Sequence, residues 1–186
     1  MSSLEGDSQP TLEQQAALGS RTAFSSLVDP HLGRLIALAT RMLGSRHQGE
    51  DAVQDGLASV WLARHRLDPD RPIGPYLTTA VLNKCRDQLR KQKAKRFFGI
   101  GASEDAFSIA DDKPNPEEVA VKREELRQIQ AEIERLPIRL REALVLVSID
   151  GRSQAEAASL LGVSEKAIET RVYRARQRLR EKLEKF

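Results

Sequence analysis

The sequence predicts an all-α protein of two small helical domains joined by a flexible linker, with a helix-turn-helix in the C-terminal domain. Three observations carry that reading. Leu, Ala, Glu, Arg and Gln dominate the 186 residues and aromatics make up only 4%, a composition that favours helix over strand. Apolar residues recur at spacings of three and four over most of the chain. One stretch in the middle breaks that rhythm with Gly, Ser, Asp and Pro, and a chain of this length suits one ordinary domain or two small ones.

The elements follow in order. Residues 1–22 are polar and read as a disordered N-terminus. From Ala23 to Leu43, Phe24, Leu27, Leu32, Leu35, Ile36, Leu38, Ala39 and Met42 form a helical face. Pro30 predicts a break or a helix start near it, and Gly44-Ser45 closes the helix. Glu50 to Arg66 is a second helix with Val53, Leu57, Val60 and Trp61 on one side. Leu67 to Pro75 carries Pro69, Pro72, Gly74 and Pro75 and reads as a loop. Tyr76 to about Lys95 is a third helix, which makes residues 23–97 the first domain. Residues 98–116 are the linker, acidic at Glu104, Asp105, Asp111 and Asp112.

Residues 117–186 are the second domain. Glu117 and Glu118 are favourable at a helix N-terminus, and Leu126, Ile129, Ile133 and Leu136 form an amphipathic stripe. Pro137 ends that helix and opens the next, Ile138 to Ile149, which Asp150-Gly151 closes. Ser153-Gln154-Ala155-Glu156 has the pattern of a capping box. A short helix to Leu161, a turn at Gly162-Val163-Ser164 and a long basic helix from Glu165 complete the chain.

The net charge is only +3, from 30 Lys and Arg against 27 Asp and Glu, so its distribution matters more than its sum. The single cysteine, Cys85, excludes an intramolecular disulfide and suits a reducing cytoplasm. The N-terminus lacks an apolar signal core, and no apolar run approaches the ~18 residues of a membrane span. A soluble cytoplasmic protein without membrane insertion is expected.

The strongest functional signal is Ser153 to Leu179. A short helix, a Gly-containing turn and a basic helix make a helix-turn-helix. Ala157 and Ala158 are small where two helices must approach, and Gly162 can take a positive φ. Leu161, Val163, Ile168, Val172 and Leu179 supply a buried stripe. The opposite face offers Lys166, Thr170, Arg171, Tyr173, Arg174 and Arg178, side chains able to bond phosphates or base edges. The second signal is Asn83 to Arg96, where Lys84, Arg86, Arg90, Lys91, Lys93, Lys95 and Arg96 stand against one acid, Asp87. Such density attracts a polyanion by counterion release and exceeds what a helix end needs for its dipole. Two basic sites on separate domains imply two contacts along one DNA.

In this order and spacing, Glu50-Asp51-Ala52-Val53-Gln54-Asp55-Gly56, Arg71-Pro72-Ile73-Gly74-Pro75-Tyr76-Leu77 with Asn83-Lys84-Cys85-Arg86-Asp87, Leu136-Pro137 with Arg141-Glu142-Ala143, and Ser153 to Leu179 resemble the sigma factors of the extracytoplasmic-function (group IV) type in the sigma-70 family. The resemblance covers about Phe24 to Leu183. It implies a DNA-binding subunit, with no catalysis of its own and no cofactor, that directs core RNA polymerase to promoters, typically in a stress response. On the polymerase side it implies that Asp51, Gln54, Asp55 and Trp61 dock on the β′ coiled coil. For the melted −10 element it implies Tyr76, Asn83, Lys84, Arg86 and Arg90, with Asn83 at a pocket for a flipped base, since capture of an unpaired base avoids a cost of a few kcal/mol. Tyr76 stands where Trp is usual. For the −35 duplex and the β flap it implies the second domain, with Thr170, Tyr173 and Arg174 at groove positions and Glu169 departing from a frequent base. An anti-sigma factor is an expected partner. The acidic linker is expected to lie in the RNA exit path as a nucleic-acid mimic.

Other signals carry less. His31, His47 and His65 are far apart and lack ligand spacing, so no metal site is expected. Cys85 sits among cations that can lower a thiol pKa, although a packed thiol accounts for it. No phosphate loop or nucleophile–base pattern appears. A sigma mimic that sequesters an anti-sigma factor would need neither basic face. A free-standing helix-turn-helix repressor would not need the acidic helix at Gln54-Asp55.

Overall fold

The computed structural model describes residues 10–97 and 116–183. The expected linker and its acids lie outside the described residues. Two helical domains are present, with no strand among the described residues. The first comprises α1 (Leu12–Ala17), α2 (Arg21–Leu43), α3 (Arg46–Leu62), a 3₁₀ turn (Arg64–Arg66) and α4 (Ile73–Phe97).

Order begins earlier than the polar N-terminus suggested. Thr11 and Gln14 form a reciprocal capping box, which satisfies backbone donors that water would otherwise have to hold. Ala16 is fully buried on the folded domain. Ser20 then caps α2 through the Ala23 N–H, so the disordered reading of residues 1–22 is corrected from residue 11 onward. Pro30 is a second correction, because it lies inside α2 without ending it. An interior proline costs about 3 kcal/mol. Burial of Ala23 and Val28 before it and Leu35 and Leu38 after it offsets that cost.

Gly44 stops α2 with φ 80°, a left-handed conformation that suits glycine, and Ser45 caps α3 at once. The helices pack closely because glycines sit at their crossings. A Cβ on Gly49 would lie 2.8 Å from the Thr40 backbone N, and one on Gly56 3.0–3.3 Å from Val81. Helix α4 starts at Ile73, so Gly74 and Pro75 belong to its first turn and not to the preceding loop. Proline fits there because the first helical N–H groups have no intrahelical acceptor.

The second domain holds α5 (Pro116–Arg135), α6 (Ile138–Leu144), a π-helical turn (Val145–Ile149), α7 (Gln154–Leu161) and α8 (Glu165–Leu183). In the π turn the Asp150 N–H donates to the Val145 carbonyl at 2.8 Å, one residue farther back than in an α-helix. The stripe on α5 is only half used. Ile133 and Leu136 are buried beside Leu144 and Ala175, whereas Leu126 and Ile129 are exposed.

The domains pack on one another. One apolar cluster runs from Leu35, Leu38, Met42, Leu77 and Leu82 of the first domain to Val145, Leu146, Ala157, Ile168 and Val172 of the second. Polar bridges reinforce it. Arg34 donates to Asp150 and to Thr78 Oγ1, both at 2.7 Å. Arg141 donates to the Met42 carbonyl at 2.7 Å, Gln130 to the Arg41 carbonyl at 3.3 Å, and Arg86 Nε pairs with Glu142. Each carbonyl so reached is one of the last in α2, left without an intrahelical donor.

Candidate nucleic-acid interface

The sequence builds the helix-turn-helix from its termini inward. The Ser153 hydroxyl accepts from the Glu156 N–H and the Glu156 carboxylate from the Ser153 N–H, at 3.1 and 2.9 Å. That N–H, the Arg152 guanidinium and the Ser153 hydroxyl hold the exposed Glu156 carboxyl at about 2, far below its usual range. Gly162 takes φ 64° at the turn, and Ser164 caps α8 through the Ala167 N–H at 3.2 Å. Ile168, Val172 and Ala175 are buried on one side of α8. Lys166, Thr170, Tyr173 and Arg174 lie on the other at i, i+4, i+7 and i+8, a single face, with Arg171 and Arg178 one flank over. Tyr173 is 66% exposed. Glu169, whose charge opposes phosphate, pairs with Lys166 at 2.8 Å. An exposed pair of this kind is worth at most about 1 kcal/mol, so Lys166 is readily exchanged to another anion.

The other basic site centres on α4. Tyr76, Asn83 and Lys84 line one cavity of about 240 Å³ together with Ser59, Val60, Ala80 and Asp87. Arg86 does not line this cavity. Its Nη1 donates to Asn83 Oδ1 at 2.7 Å while its Nε engages Glu142 of α6. Arg90 lies 3.6 Å from Asp87 on the exposed side. A larger, mainly apolar cleft of about 490 Å³ lies beside this site. Its walls include Leu67, Pro72, Ile73 and Tyr76 from the first domain and Ser159 and Leu160 of α7 from the second.

On α3, Asp51, Gln54 and Asp55 are exposed along one face. His47 reaches Asp51 at 3.1 Å. Trp61 is half-buried. Its ring meets Phe24 at 5.3 Å and carries the Arg64 guanidinium 4.6 Å above its centroid, so its body is committed to packing inside the domain. Leu62, next to it, is 74% exposed at the end of the acidic face. Cys85 is fully buried, and burial followed by the nearby Glu142 pushes its thiol up to about 12 against the opposing pull of Arg86. The neighbouring cations therefore do not activate it. Among the described residues no group of His, Cys, Asp and Glu is placed to hold a metal, and no helix is long and apolar enough to cross a membrane.

Residues 27–95 match the Sigma-70 region 2 family and residues 126–179 match Sigma-70, region 4. The chain is 40% identical over 178 residues to RNA polymerase sigma factor CnrH of Cupriavidus metallidurans, covering 93% of each chain. This protein is an extracytoplasmic-function member of the sigma-70 family. It is also 29% identical over 175 residues to the ECF RNA polymerase sigma factor SigW of Bacillus subtilis, across 91% of this chain and 94% of that one. Among solved structures it resembles CnrH in complex with the cytosolic domain of CnrY, with a TM-score of 0.67, 32% identity and coverage of 93% and 95%. It likewise resembles the sigma factor RpoE in complex with the anti-sigma factor NepR from Bartonella quintana, with a TM-score of 0.68, 26% identity and coverage of 87% and 96%.

As a sigma factor the chain works with core RNA polymerase in promoter-specific transcription initiation. The residues expected to read the −35 duplex share one largely exposed face of α8, whereas those expected at the −10 element are divided between a cavity and an interdomain contact. Sequence reasoning missed Arg34, Asp150 and Glu142 as interface residues. No periodicity or motif pairs them in the sequence, and the need of a buried acid for a cation appears only once the fold buries Asp150 and Glu142.

Proposed function

We propose that this sigma factor divides its promoter contacts between the cavity on α4 and the exposed face of α8. Asn83 reads a flipped base of the melted −10 strand, with Tyr76 stacking beside it and Lys84, Arg86 and Arg90 holding phosphates. Lys166, Thr170, Arg171, Tyr173, Arg174 and Arg178 read the −35 duplex. The observation that carries the −10 assignment is the shared cavity: Tyr76, Asn83 and Lys84, three of the five proposed residues, face one space. Asp51, Gln54 and Asp55 dock on the β′ coiled coil of the polymerase, with Leu62 adding apolar area, and Trp61 supports that face from behind. On this reading the domain limits are 23–97 for region 2 and 117–186 for region 4. The chain acts in the cytoplasm as a regulator without catalysis of its own.

Two structural relatives were solved with CnrY and with the anti-sigma factor NepR. An anti-sigma partner for this chain follows as part of the proposal, with the apolar cleft beside Tyr76 as a surface such a partner can fill. Run-off transcription with purified core polymerase and genomic fragments tests the whole. Discrete transcripts that require the sigma factor, and that Asn83→Ala and Arg174→Ala each reduce at least tenfold (about 1.4 kcal/mol), are expected. Transcription unchanged by both substitutions would refute the assignment.

A further inference from the structure

Glu169 is an acid on a face otherwise suited to DNA. It stands between Lys166 and Tyr173 at spacings of three and four, so all three share one side of α8. Its side chain is 53% exposed, and Lys166, 80% exposed, donates to it at 2.8 Å. The hydroxyl of the adjacent Thr170 donates back to the Lys166 carbonyl at 2.8 Å and so does not serve Glu169. The pair does little for the fold. A lysine in the first turn opposes the positive end of the helix, and Lys before Glu is the weaker order along a helix. Exposure keeps the pair below about 1 kcal/mol.

Beside a duplex the same carboxylate is repelled unless a donor meets it. Phosphates offer none. In the major groove the donors are cytosine N4 and adenine N6. Adenine N6 lies beside the N7 acceptor, which repels a carboxylate and suits the amide of Asn or Gln instead. Cytosine N4 has no acceptor beside it on its own base in that groove, and the guanine paired with it presents O6 and N7, which accept from a lysine. The cation and the acid held together on α8 therefore match, in kind, the two halves of one G·C pair.

We infer that Glu169 fixes a cytosine in the −35 element, accepting a hydrogen bond from its N4 while Lys166 turns from Glu169 to the paired guanine. That assignment rests on the reading of α8 as the −35 surface. Lys166 and Glu169 lie in the first two turns of α8, the part of a recognition helix that reaches base edges. Guanine and thymine offer Glu169 no donor in the major groove, and adenine offers one only beside a repelling acceptor. The acid thus acts chiefly by rejection, since a wrong base pair leaves a carboxylate desolvated without a partner.

The test uses holoenzyme assembled from the full chain and core polymerase. Linear templates carry the −10 region of a genomic fragment that the parent holoenzyme transcribes, with the −35 element randomised. Bound templates are selected and sequenced at fixed salt. The parent is expected to enrich cytosine over every other base at one position by about tenfold. Glu169→Ala is expected to remove that preference, to keep the rest of the selected element, and to bind templates lacking the cytosine more tightly than the parent does. Lys166→Ala is expected to relax the same base pair. An element that Glu169→Ala leaves unchanged at every position would overturn the inference alone, provided that Arg174→Ala still weakens selection. So would an A·T pair at the position Glu169→Ala relaxes, or relaxation of different base pairs by Glu169→Ala and Lys166→Ala. If the parent selects no −35 sequence, or Arg174→Ala selects as the parent does, the −35 reading of α8 falls and the role of Glu169 falls with it.

Discussion

The two basic surfaces of this sigma factor are built on different terms. On α8 the cations stand on a helix whose opposite side is buried, and among the described residues they pair with near neighbours, as Lys166 does with Glu169, or with the π-helical turn, as Arg176 does with Ser148. On α4 the cation Arg86 is spent on the other domain. A surface that is packed from behind is ready to bind. One whose cation is paired from in front must exchange that partner before it can bind another anion.

Substitutions can break or sharpen that contrast. The largest expected effect is from Ile168→Ala, which empties a fully buried site under α8 and costs about 2–5 kcal/mol of stability. Thermal denaturation measures it, and −35 duplex binding should fall with it more than oligothymidylate binding does. Next comes Arg174→Ala, which leaves the fold intact and lowers affinity for a −35 duplex by about 1–3 kcal/mol, read by anisotropy. Ser153→Ala removes the cap of α7 and costs about 0.5–2 kcal/mol in the melting curve.

The smallest effect is one of pH. Burial, then the charges of Arg34 and Arg152, lowers the His31 pKa below 6.5. His31 lies against the first turn of α4, since a Cβ on Gly74 would fall 3.0 Å from its ring. The folded state thus prefers the neutral ring. This stability is complete above pH 6.5 and is lost as pH falls through the depressed folded-state value. A third positive charge would then join Arg34 and Arg152 beside Asp150. Melting curves of the parent chain should weaken below pH 6.5 more steeply than those of His31→Asn.

Much of this architecture was legible because it is local. Period and turns predicted helices at α2, α3, α4 and the helix-turn-helix, although α3 runs Arg46–Leu62 where Glu50 to Arg66 was expected, and Ser153, Gly162 and Ser164 act as their types suggest. The face of α8 followed from spacing alone. What escaped depends on distant parts of the chain. Pro30 reads as a breaker until the packing on both sides of it is known. Leu126 and Ile129 read as core, yet the first domain meets α5 through Gln130 instead. Glu142 and Arg86 are separated by 56 positions, and no periodicity links them. Residues 11–20 were missed for a different reason: a six-residue helix with one buried alanine has almost no hydrophobic pattern to detect.

The π-helical turn at Val145–Ile149 carries a mechanical consequence. It accommodates a residue that regular winding would have no place for, and so sets the angle at which everything after it leaves α6. Deleting Val147 would let the backbone relax to the ordinary pitch, a tidier helix by any local measure. The price would be a rotation of about 100° for Asp150 and the reading head beyond it, away from Arg34. Loss of one side chain's worth of backbone would thus misalign two domains without disturbing either.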